Sequence, residues 1–366
     1  MRAAEAIDGG RLRVAFYTDA RSRGGAEVSL RTLLAHLPAD VDATVVGIDQ
    51  LVIDWVAEAR PGTGTRLVPE VLGKSSLGPM LEHRRVLGEL RPHVVHVNLN
   101  AMADARWAVL AATTLRGVRV VAVEHSPVPP AERSVMTIKR LGSHRLDAHV
   151  AVGDRAARTT ERAVGLTPGS VRTIHNGVPD DVTIPPRAAG QSVVLGCLAR
   201  LDPVKGLDVL LESVARLAGV RLIIVGDGPE RAALETQVHR LGVQGRVELR
   251  PWDDHARWSL AEMDIFVLPS RNEGLPLSII EAMLASRPVV ASDVGSVREA
   301  VVDEETGFLV PAENVEALTR SLAVLVADPI ARSRFGLAGR QRALDHFTAP
   351  RMAAAYGALY RELTGG

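Results

Sequence analysis

The sequence predicts an α/β fold built from two doubly wound domains, and three observations support this prediction. The chain has 366 residues, and domains usually contain roughly 100–200 residues, so two domains are expected. Short apolar runs alternate with helical stretches, and this alternation occurs twice. Between the two alternations, Pro179, Pro185, Pro186 and Gly190 form a linker that neither a helix nor a central strand would tolerate.

The strands are predicted from continuous apolar runs, because parallel strands buried on both faces lack polar alternation. In the first half they are Leu12–Tyr17, Ala43–Ile48, Val94–Val97, Val118–Val123, Ala148–Val152 and Val171–Ile174. In the second half they are Val193–Leu198, Leu222–Val225, Arg246–Leu249, Ile265–Leu268 and Pro288–Ala291. Each set predicts a parallel sheet covered by helices, with ligands beyond the carboxyl ends of the strands.

Helices are predicted where Ala and Leu recur at helical spacing. They include Glu27–Leu37, Leu77–Leu90, Gly206–Leu217, Pro229–Leu241, Leu277–Ala285 and Ala349–Leu363. The expected organisation is a flexible leader over 1–10, a first domain over 11–185, a second domain over 186–348 and a C-terminal helical segment over 349–366.

The composition of the chain argues against a nucleic-acid-binding protein and against a membrane-spanning one. Lysine plus arginine (43) equals aspartate plus glutamate (43), which argues against nucleic acid as the partner. The one cysteine, Cys197, lies in an apolar run and is expected to be a small buried hydrophobic residue. No apolar stretch approaches the ~20 residues of a membrane span, and the start of the chain has no signal-like apolar segment. A cytoplasmic protein is expected, with peripheral membrane contact left open.

Two glycine-rich loops follow predicted strands. Gly24-Gly25 opens the first helix, and Gly226-Asp227-Gly228 follows the strand Leu222–Val225. Glycine lets the backbone approach a ligand closely, and a helix N-terminus favours an anion. The alternative is an ordinary strand-to-helix turn. Neither loop has the G-x-G-x-x-G spacing of dinucleotide folds, so a nicotinamide oxidoreductase receives little support.

Charged residues follow strands of the second domain. Arg200 ends a strand and Lys205 begins a helix, and two cations at such a place suit a diphosphate. Glu273 lies in a loop, and Glu281 lies on an otherwise apolar helix, where an unpartnered carboxylate is costly. Ribose hydroxyls could supply the missing partners. Ordinary surface cations and local carboxylate pairing are the alternatives.

His125 ends a strand of the first domain, where a polar contact to substrate is expected. A purely structural histidine is the alternative.

Together these residues resemble a known family. In chain order the elements are Gly24-Gly25-Ala26-Glu27, His125, Asn176-Gly177-Val178, Arg200 with Lys205-Gly206, Gly226-Asp227-Gly228, and Glu273 with Glu281. Their order and spacing are similar to those of the retaining glycosyltransferases of family 4, over nearly the whole chain. Those enzymes have the GT-B fold, in which two Rossmann-like domains face each other across a cleft.

The resemblance implies roles for individual residues. Arg200 and Lys205 would hold the donor diphosphate, and Glu281 would bind the ribose. Glu273 would contact the transferred sugar, and His125 would lie near the reacting sugar. The implied catalytic set is His125, Arg200, Lys205 and Glu273. The implied donor-binding set is Gly24, Gly25, Arg200, Lys205, Gly226, Gly228, Glu273, Gly274, Leu275 and Glu281. The 246–255 segment would flank the base.

The resemblance also implies a reaction. A sugar would pass from a nucleotide diphosphate sugar, UDP favoured over GDP, to a glycan, a lipid-linked acceptor or a small molecule, with retention and without a metal or other cofactor. The last helix would cross back to the first domain. A catalytically silent GT-B partner protein and a nucleotide-sugar epimerase or phosphorylase are the alternatives.

Some positions depart from the family pattern. The stretch His96-Val97-Asn98-Leu99-Asn100 stands where many members have a second histidine or a serine, so acceptor-side details are open. Pro251-Trp252 replaces a frequent glycine, and Pro179 a frequent acidic residue. Separately, the 131–146 segment could form a basic amphipathic helix on an anionic membrane, through Arg133, Lys139, Arg140 and Arg145, or an ordinary solvated helix.

Overall fold

The computed structural model describes residues 10–73, 76–130, 132–180, 184–185, 187, 192–253 and 256–365. The chain divides into two compact units. Unit 1 comprises Met1–Pro179 with Ala349–Gly366, and unit 2 comprises Asp180–Thr348. The division after Pro179 precedes the expected boundary at 185/186. The expected leader over 1–10 lies outside the described residues except for Gly10.

Unit 1 contains a seven-stranded parallel sheet within the described residues, in the order β3-β2-β1-β4-β5-β6-β7. Its strands are β1 (Leu12–Thr18), β2 (Val41–Gly47), β3 (Gly64–Leu67), β4 (Val94–Leu99), β5 (Arg119–Glu124), β6 (Ala148–Ala151) and β7 (Val171–Thr173). The strand order reverses between β1 and β4. Loops beyond the carboxyl ends of these two strands therefore occupy the usual ligand-binding place of such a sheet.

Helices cover this sheet, whose central strands β1, β4 and β5 are almost entirely buried. They are α1 (Gly25–His36), α2 (Gln50–Ala57), α3 (Leu77–Glu89), α4 (Arg106–Ala112), α5 (Arg133–Ser143) and α6 (Asp154–Val164). One face forms a core of Val, Leu and Ala from β1, β4 and β5 against α3 and α4.

Unit 2 contains a six-stranded parallel sheet within the described part of the chain, in the order β10-β9-β8-β11-β12-β13. Its strands are β8 (Val193–Leu198), β9 (Val220–Val225), β10 (Val247–Arg250), β11 (Ile265–Leu268), β12 (Val289–Ser292) and β13 (Gly307–Val310). The order reverses between β8 and β11, so the loops after these two strands lie side by side. Cys197 on β8 is buried as expected.

The helices of unit 2 alternate with its strands. They are α7 (Leu207–Ala215), α8 (Arg231–Arg240), α9 (Leu277–Leu284), α10 (Val297–Ala300), α11 (Val315–Ala327) and α12 (Pro329–His346). The chain then returns to unit 1 as α13 (Ala349–Thr364).

The last helix is fixed in unit 1 by specific contacts. The buried Tyr360 hydroxyl lies 2.6 Å from His96 Nδ1, and Arg361 pairs with Asp40 at 2.9 Å. Burial lowers the pKa of His96 to about 3, with His125 adding to the effect. His96 is therefore a neutral core residue at neutral pH.

The basic face proposed for the 131–146 segment is wrong at Lys139. This residue lies on α5 but is buried, and its ammonium pairs with the buried Glu124 carboxylate, which also contacts His149 Nε2 at 2.8 Å. A charge held in this network cannot face a membrane. Arg133, Arg140 and Arg145 are exposed. Ala131 lies outside the described residues.

None of the described helices is both long and apolar enough to cross a membrane.

Candidate functional site

The loops after β8 and β11 carry the charged residues predicted to bind the donor. Lys205 Nζ donates to Glu273 Oε1 at 2.7 Å. The Ser270 hydroxyl donates to the same oxygen, also at 2.7 Å. Glu273 is buried and Lys205 is half-buried. The structure thus brings two predicted catalytic residues together as an ion pair within unit 2.

Gly206 makes this approach possible. It ends the short 3-10 helix Pro203–Lys205 with a φ of +63°, a conformation that favours glycine. A Cβ there would lie 2.2 Å from the Pro269 carbonyl oxygen. The backbones of the two loops therefore touch at Gly206, directly beside Lys205.

Arg271 links the loops after β8 and β11 through hydrogen bonds. Its guanidinium donates to both oxygens of Asp208, at 3.0 and 2.8 Å, and to the Pro203 carbonyl. Its backbone N–H donates to the Val204 carbonyl at 2.7 Å. Sequence reasoning missed this role, although the arginine lies two positions before Glu273 and could have been paired with the acidic first turn of α7.

Arg200 lies on the turn that precedes Lys205. Its Nε donates to Asp202 Oδ2 at 2.6 Å, and Asp202 Oδ1 accepts from the Val204 N–H at 3.0 Å. The Arg200 side chain is 74% exposed. Asp202 therefore anchors both the arginine and the turn, while the guanidinium remains in solvent.

Gly226 and Gly228 follow β9 and pack against the turn after β8. A Cβ on Gly226 would lie 1.9 Å from the Ala199 carbonyl oxygen, and one on Gly228 would lie 2.2 Å from that of Leu201. The space beside both glycines is thus taken by the backbone around Arg200. Their donor contact stays a prediction, but their packing role is clear.

Glu281 lies on α9 and is half-buried. Burial raises the pKa of its carboxyl group, and the Arg257 charge opposes that effect. Within the part of the chain that the structure describes, no hydrogen bond to this carboxylate is present. A half-buried carboxylate with no partner is costly, so Glu281 is well suited to accept hydrogen bonds from a ligand.

A glycine that sequence reasoning missed shapes the Glu273 loop. Gly295 follows β12 with a φ of +51°, and a Cβ there would lie 1.7 Å from the Glu273 carbonyl oxygen. The next residue, Ser296, donates its N–H to the Gly274 carbonyl at 2.9 Å. Leu275 is buried. In the sequence, the only indication of this role is that Gly295 lies shortly after β12, the neighbour of β11 in the sheet.

Gly295→Ala is expected to displace the loop that carries Glu273 and Gly274. The added Cβ meets backbone and adopts an unfavourable φ, so we expect a loss of about 1–3 kcal/mol in unfolding free energy. Catalytic turnover should fall even though no charged group is removed. Thermal unfolding and turnover of the purified variant measure both effects.

Gly245→Ala is the matched control, since a Cβ there has nothing within 4 Å and the φ is not positive. Wild-type stability in Gly295→Ala would contradict the described contact.

The segment expected to flank the base is described only in part. Arg250, at the end of β10, pairs with Glu262 at 2.6 Å and with Glu248 at 2.8 Å. The Trp252 N–H donates to Asp227 Oδ2 at 2.8 Å, which ties this segment to the glycine loop after β9. Residues 254 and 255 lie outside the described residues.

In unit 1, Gly24 and Gly25 begin α1. The Gly24 N–H donates to Glu27 Oε2 at 3.3 Å. A Cβ on Gly25 would have no atom of the described residues within 4 Å. Glu27 is buried and accepts hydrogen bonds from Thr18 and Asn100, each at 3.0 Å. Burial raises the pKa of Glu27 despite these bonds.

His125 follows β5 and lies beside Asn98, near the end of β4. Its Nε2 is 2.8 Å from Asn98 Oδ1, and its backbone N–H donates to the Leu99 carbonyl at 3.0 Å. Burial lowers the pKa of His125 to about 4, with the nearby Glu124 opposing the shift. The imidazole is therefore neutral at neutral pH.

The Asn176-Gly177 turn has a structural role. Asn176 Oδ1 accepts from the Ser29 hydroxyl at 2.9 Å, and the Gly177 N–H contacts the Met352 sulfur at 3.2 Å. The turn thus joins α1 and α13 within unit 1.

Two family models match the chain. Residues 23–182 match the model described as "Glycosyltransferase Family 4". Residues 192–328 match the model described as "Glycosyl transferases group 1". Together the two matches take in Gly24, His125, Lys205, Glu273 and Glu281.

Curated relatives carry glycosyltransferase names. The chain is 34% identical over 163 residues to the lipopolysaccharide core biosynthesis glycosyltransferase LpsE of Rhizobium meliloti, a match that takes in 44% of this chain and 48% of LpsE. It is 29% identical over 306 residues to the lipopolysaccharide core biosynthesis mannosyltransferase LpcC of Rhizobium leguminosarum, covering 78% of this chain and 85% of LpcC. The chain thus spans about half of LpsE and most of LpcC.

Solved structures share the fold. HepE of Anabaena, in complex with UDP, has a TM-score of 0.83 at 18% identity, covering 96% of this chain and 100% of HepE. The fold is therefore GT-B. Glycosyltransferase family models match both halves of the chain, and together with the curated relatives they support a glycosyltransferase similar to family 4.

Proposed function

We propose that this protein is a retaining glycosyltransferase that moves a sugar from a nucleotide diphosphate sugar to an acceptor, without a metal ion. The observation that carries the proposal is the Lys205–Glu273 pair beside the exposed Arg200 turn. It presents an ammonium, a guanidinium and a carboxylate from adjacent loops of a chain that is similar to family 4.

The cations account for stabilisation of the leaving group. As the bond from sugar to phosphate breaks, negative charge grows on the diphosphate oxygens. Lys205 is positioned by Glu273 before any ligand arrives, and such preorganised charges stabilise a transition state without reorganisation. The Arg200 side chain would move from Asp202 to the diphosphate, where its planar guanidinium could donate two parallel hydrogen bonds to phosphate oxygens. Two cations at this place, one of them held in position before a ligand arrives, support a reaction without a metal.

The carboxylates account for donor orientation. Glu281 would accept hydrogen bonds from the ribose hydroxyls, which would give its half-buried carboxylate the missing partners. Glu273 keeps capacity on its second oxygen, because Lys205 and Ser270 both use Oε1. That capacity suits a hydroxyl of the transferred sugar. On this account the protein chiefly positions reactants and stabilises charge.

UDP-sugars are the proposed donors, with GDP-sugars as the alternative. HepE, a neighbour in fold, is described in complex with UDP, whereas LpcC is named a mannosyltransferase. The acceptor would be a glycan, a lipid-linked saccharide or a small molecule. The two lipopolysaccharide core relatives favour a saccharide acceptor.

The proposal is tested with a panel of UDP- and GDP-sugars and saccharide acceptors, with nucleotide release and product configuration as readouts. We expect turnover with one nucleotide class, a product that keeps the donor's anomeric configuration, and full activity in excess EDTA. Full activity in EDTA follows if Lys205 and Arg200 supply the positive charge.

Activity lost in EDTA and restored by Mg²⁺ or Mn²⁺ would overturn the metal-independent reaction, and an inverted product would overturn retention. Binding of nucleotide without turnover of any sugar would point to a catalytically silent member of the family.

A further inference from the structure

The amide of Asn98 joins the helix after the glycine pair to the predicted catalytic histidine. Asn98 Nδ2 donates to the Ala26 carbonyl at 3.2 Å, in the first turn of α1. Its Oδ1 lies 2.8 Å from His125 Nε2. Asn98 is buried, so its side chain has little freedom to rearrange.

These contacts determine where the imidazole proton lies. The Ala26 carbonyl can only accept, so the NH2 group of Asn98 must face it. Oδ1 therefore faces His125, and because that oxygen can only accept, Nε2 must carry the proton. Since the ring is neutral, Nδ1 is left as its acceptor. In the described part of the chain, Nδ1 makes no hydrogen bond.

We propose that Asn98 is a positioning residue that holds His125 as the Nε2–H tautomer, so that Nδ1 accepts a hydrogen bond from a sugar hydroxyl. The hydroxyl rests on the proposed glycosyl transfer, whereas the tautomer stands on the contacts alone. A phosphate oxygen would not suit Nδ1, because two acceptors would then face each other. On this proposal, Asn98, which lies in a stretch that differs from the family pattern, determines which nitrogen of His125 can accept a hydrogen bond.

The titratable groups near His125 are engaged elsewhere and do not determine its tautomer. Glu124, which precedes His125 and favours its protonation, is already paired with Lys139 and His149. His96 is engaged with Tyr360. The tautomer thus depends on Asn98 among the described neighbours.

The test is 1H–15N correlation spectroscopy of the imidazole nitrogens in the full chain with 15N-histidine, with His125→Gln used to assign its signal among the 11 histidines. At pH 7 we expect a proton on Nε2 and an unprotonated Nδ1 in the wild type. Asn98→Leu should give a tautomer mixture. In Asn98→Asp, the carboxylate should stabilise the imidazolium, and His125 should then titrate at higher pH.

Asn100→Leu is the matched control, since Asn100 also bonds to α1, through Glu27, but not to His125. It should leave the His125 signals unchanged. Protonation on Nδ1 in the wild type, or unchanged His125 signals in Asn98→Leu, would overturn the proposal. These arms need no donor, so failure of the proposed function would be seen separately as absent turnover.

Where turnover is measured, Asn98→Leu should lower kcat about 10–100-fold with little change in donor KM, the range expected for one hydrogen bond to the reacting sugar. In Asn98→Asp, the acid limb of the pH–rate profile should move to higher pH. A loss confined to KM, or an unmoved acid limb, would contradict the positioning role.

Discussion

Lys205→Ala should lower turnover about 10²–10³-fold, the loss seen when one preorganised donor to a developing oxyanion is removed. The ammonium lies 2.7 Å from Glu273 Oε1, which holds it in position at the proposed donor site. Steady-state turnover of a nucleotide sugar measures the effect.

The same substitution also removes the partner of a buried carboxylate, so its folding needs a separate check. Ser270 still donates to Glu273 in the variant, and we expect cooperative melting at a somewhat lower Tm. Arg320→Ala is the matched control, because Arg320 is a cation of unit 2 that is 70% exposed and pairs with the exposed Glu316. Near wild-type turnover by well-folded Lys205→Ala would remove the leaving-group role.

Glu281→Gln should weaken donor binding roughly 10–100-fold, because the amide keeps one acceptor oxygen and replaces the other with a donor. Hydrogen bonds to charged groups contribute about 1.5–3 kcal/mol each. Calorimetric titration with the nucleotide measures the loss, and Glu316→Gln on the exposed face of α11 is the control.

The stability of Glu281→Gln should change in the opposite direction. Burial raises the pKa of Glu281, so its ionised form opposes folding above the folded pKa, and this effect disappears below the ordinary carboxyl value. The variant should therefore melt at or above the wild-type Tm at pH 7, and the difference should shrink near pH 4. A lower Tm at pH 7 would show that the carboxylate has a stabilising partner.

Much of the fold could be predicted because buried parallel strands have an unmistakable apolar pattern. The strands Val193–Leu198 and Ile265–Leu268 match their predicted bounds. The two missed strands are short sheet edges, β3 and β13. Gly64-Thr65-Arg66-Leu67 is partly exposed and has no apolar run, so only pairing with β2 makes it a strand.

The sequence singles out candidate residues whose chemistry is local, and it gives no signal for contacts that depend on long-range packing. Lys205 and Glu273 could be named because charged residues after strands are conspicuous, and the structure pairs them. Arg271 and Gly295 act on backbone that is distant in sequence or belongs to another loop. The predicted basic face is wrong at Lys139 for the same reason, since its partner Glu124 lies at the end of β5 and not on its own helix.

Calorimetric titration of the full chain with UDP and GDP, beside Lys205→Ala, tests the central claim most directly. We expect one nucleotide to bind, UDP by this account, and the affinity to fall at least tenfold in the variant. Binding of neither nucleotide, or equal binding by the wild type and Lys205→Ala, would contradict a donor site built on the Lys205–Glu273 pair.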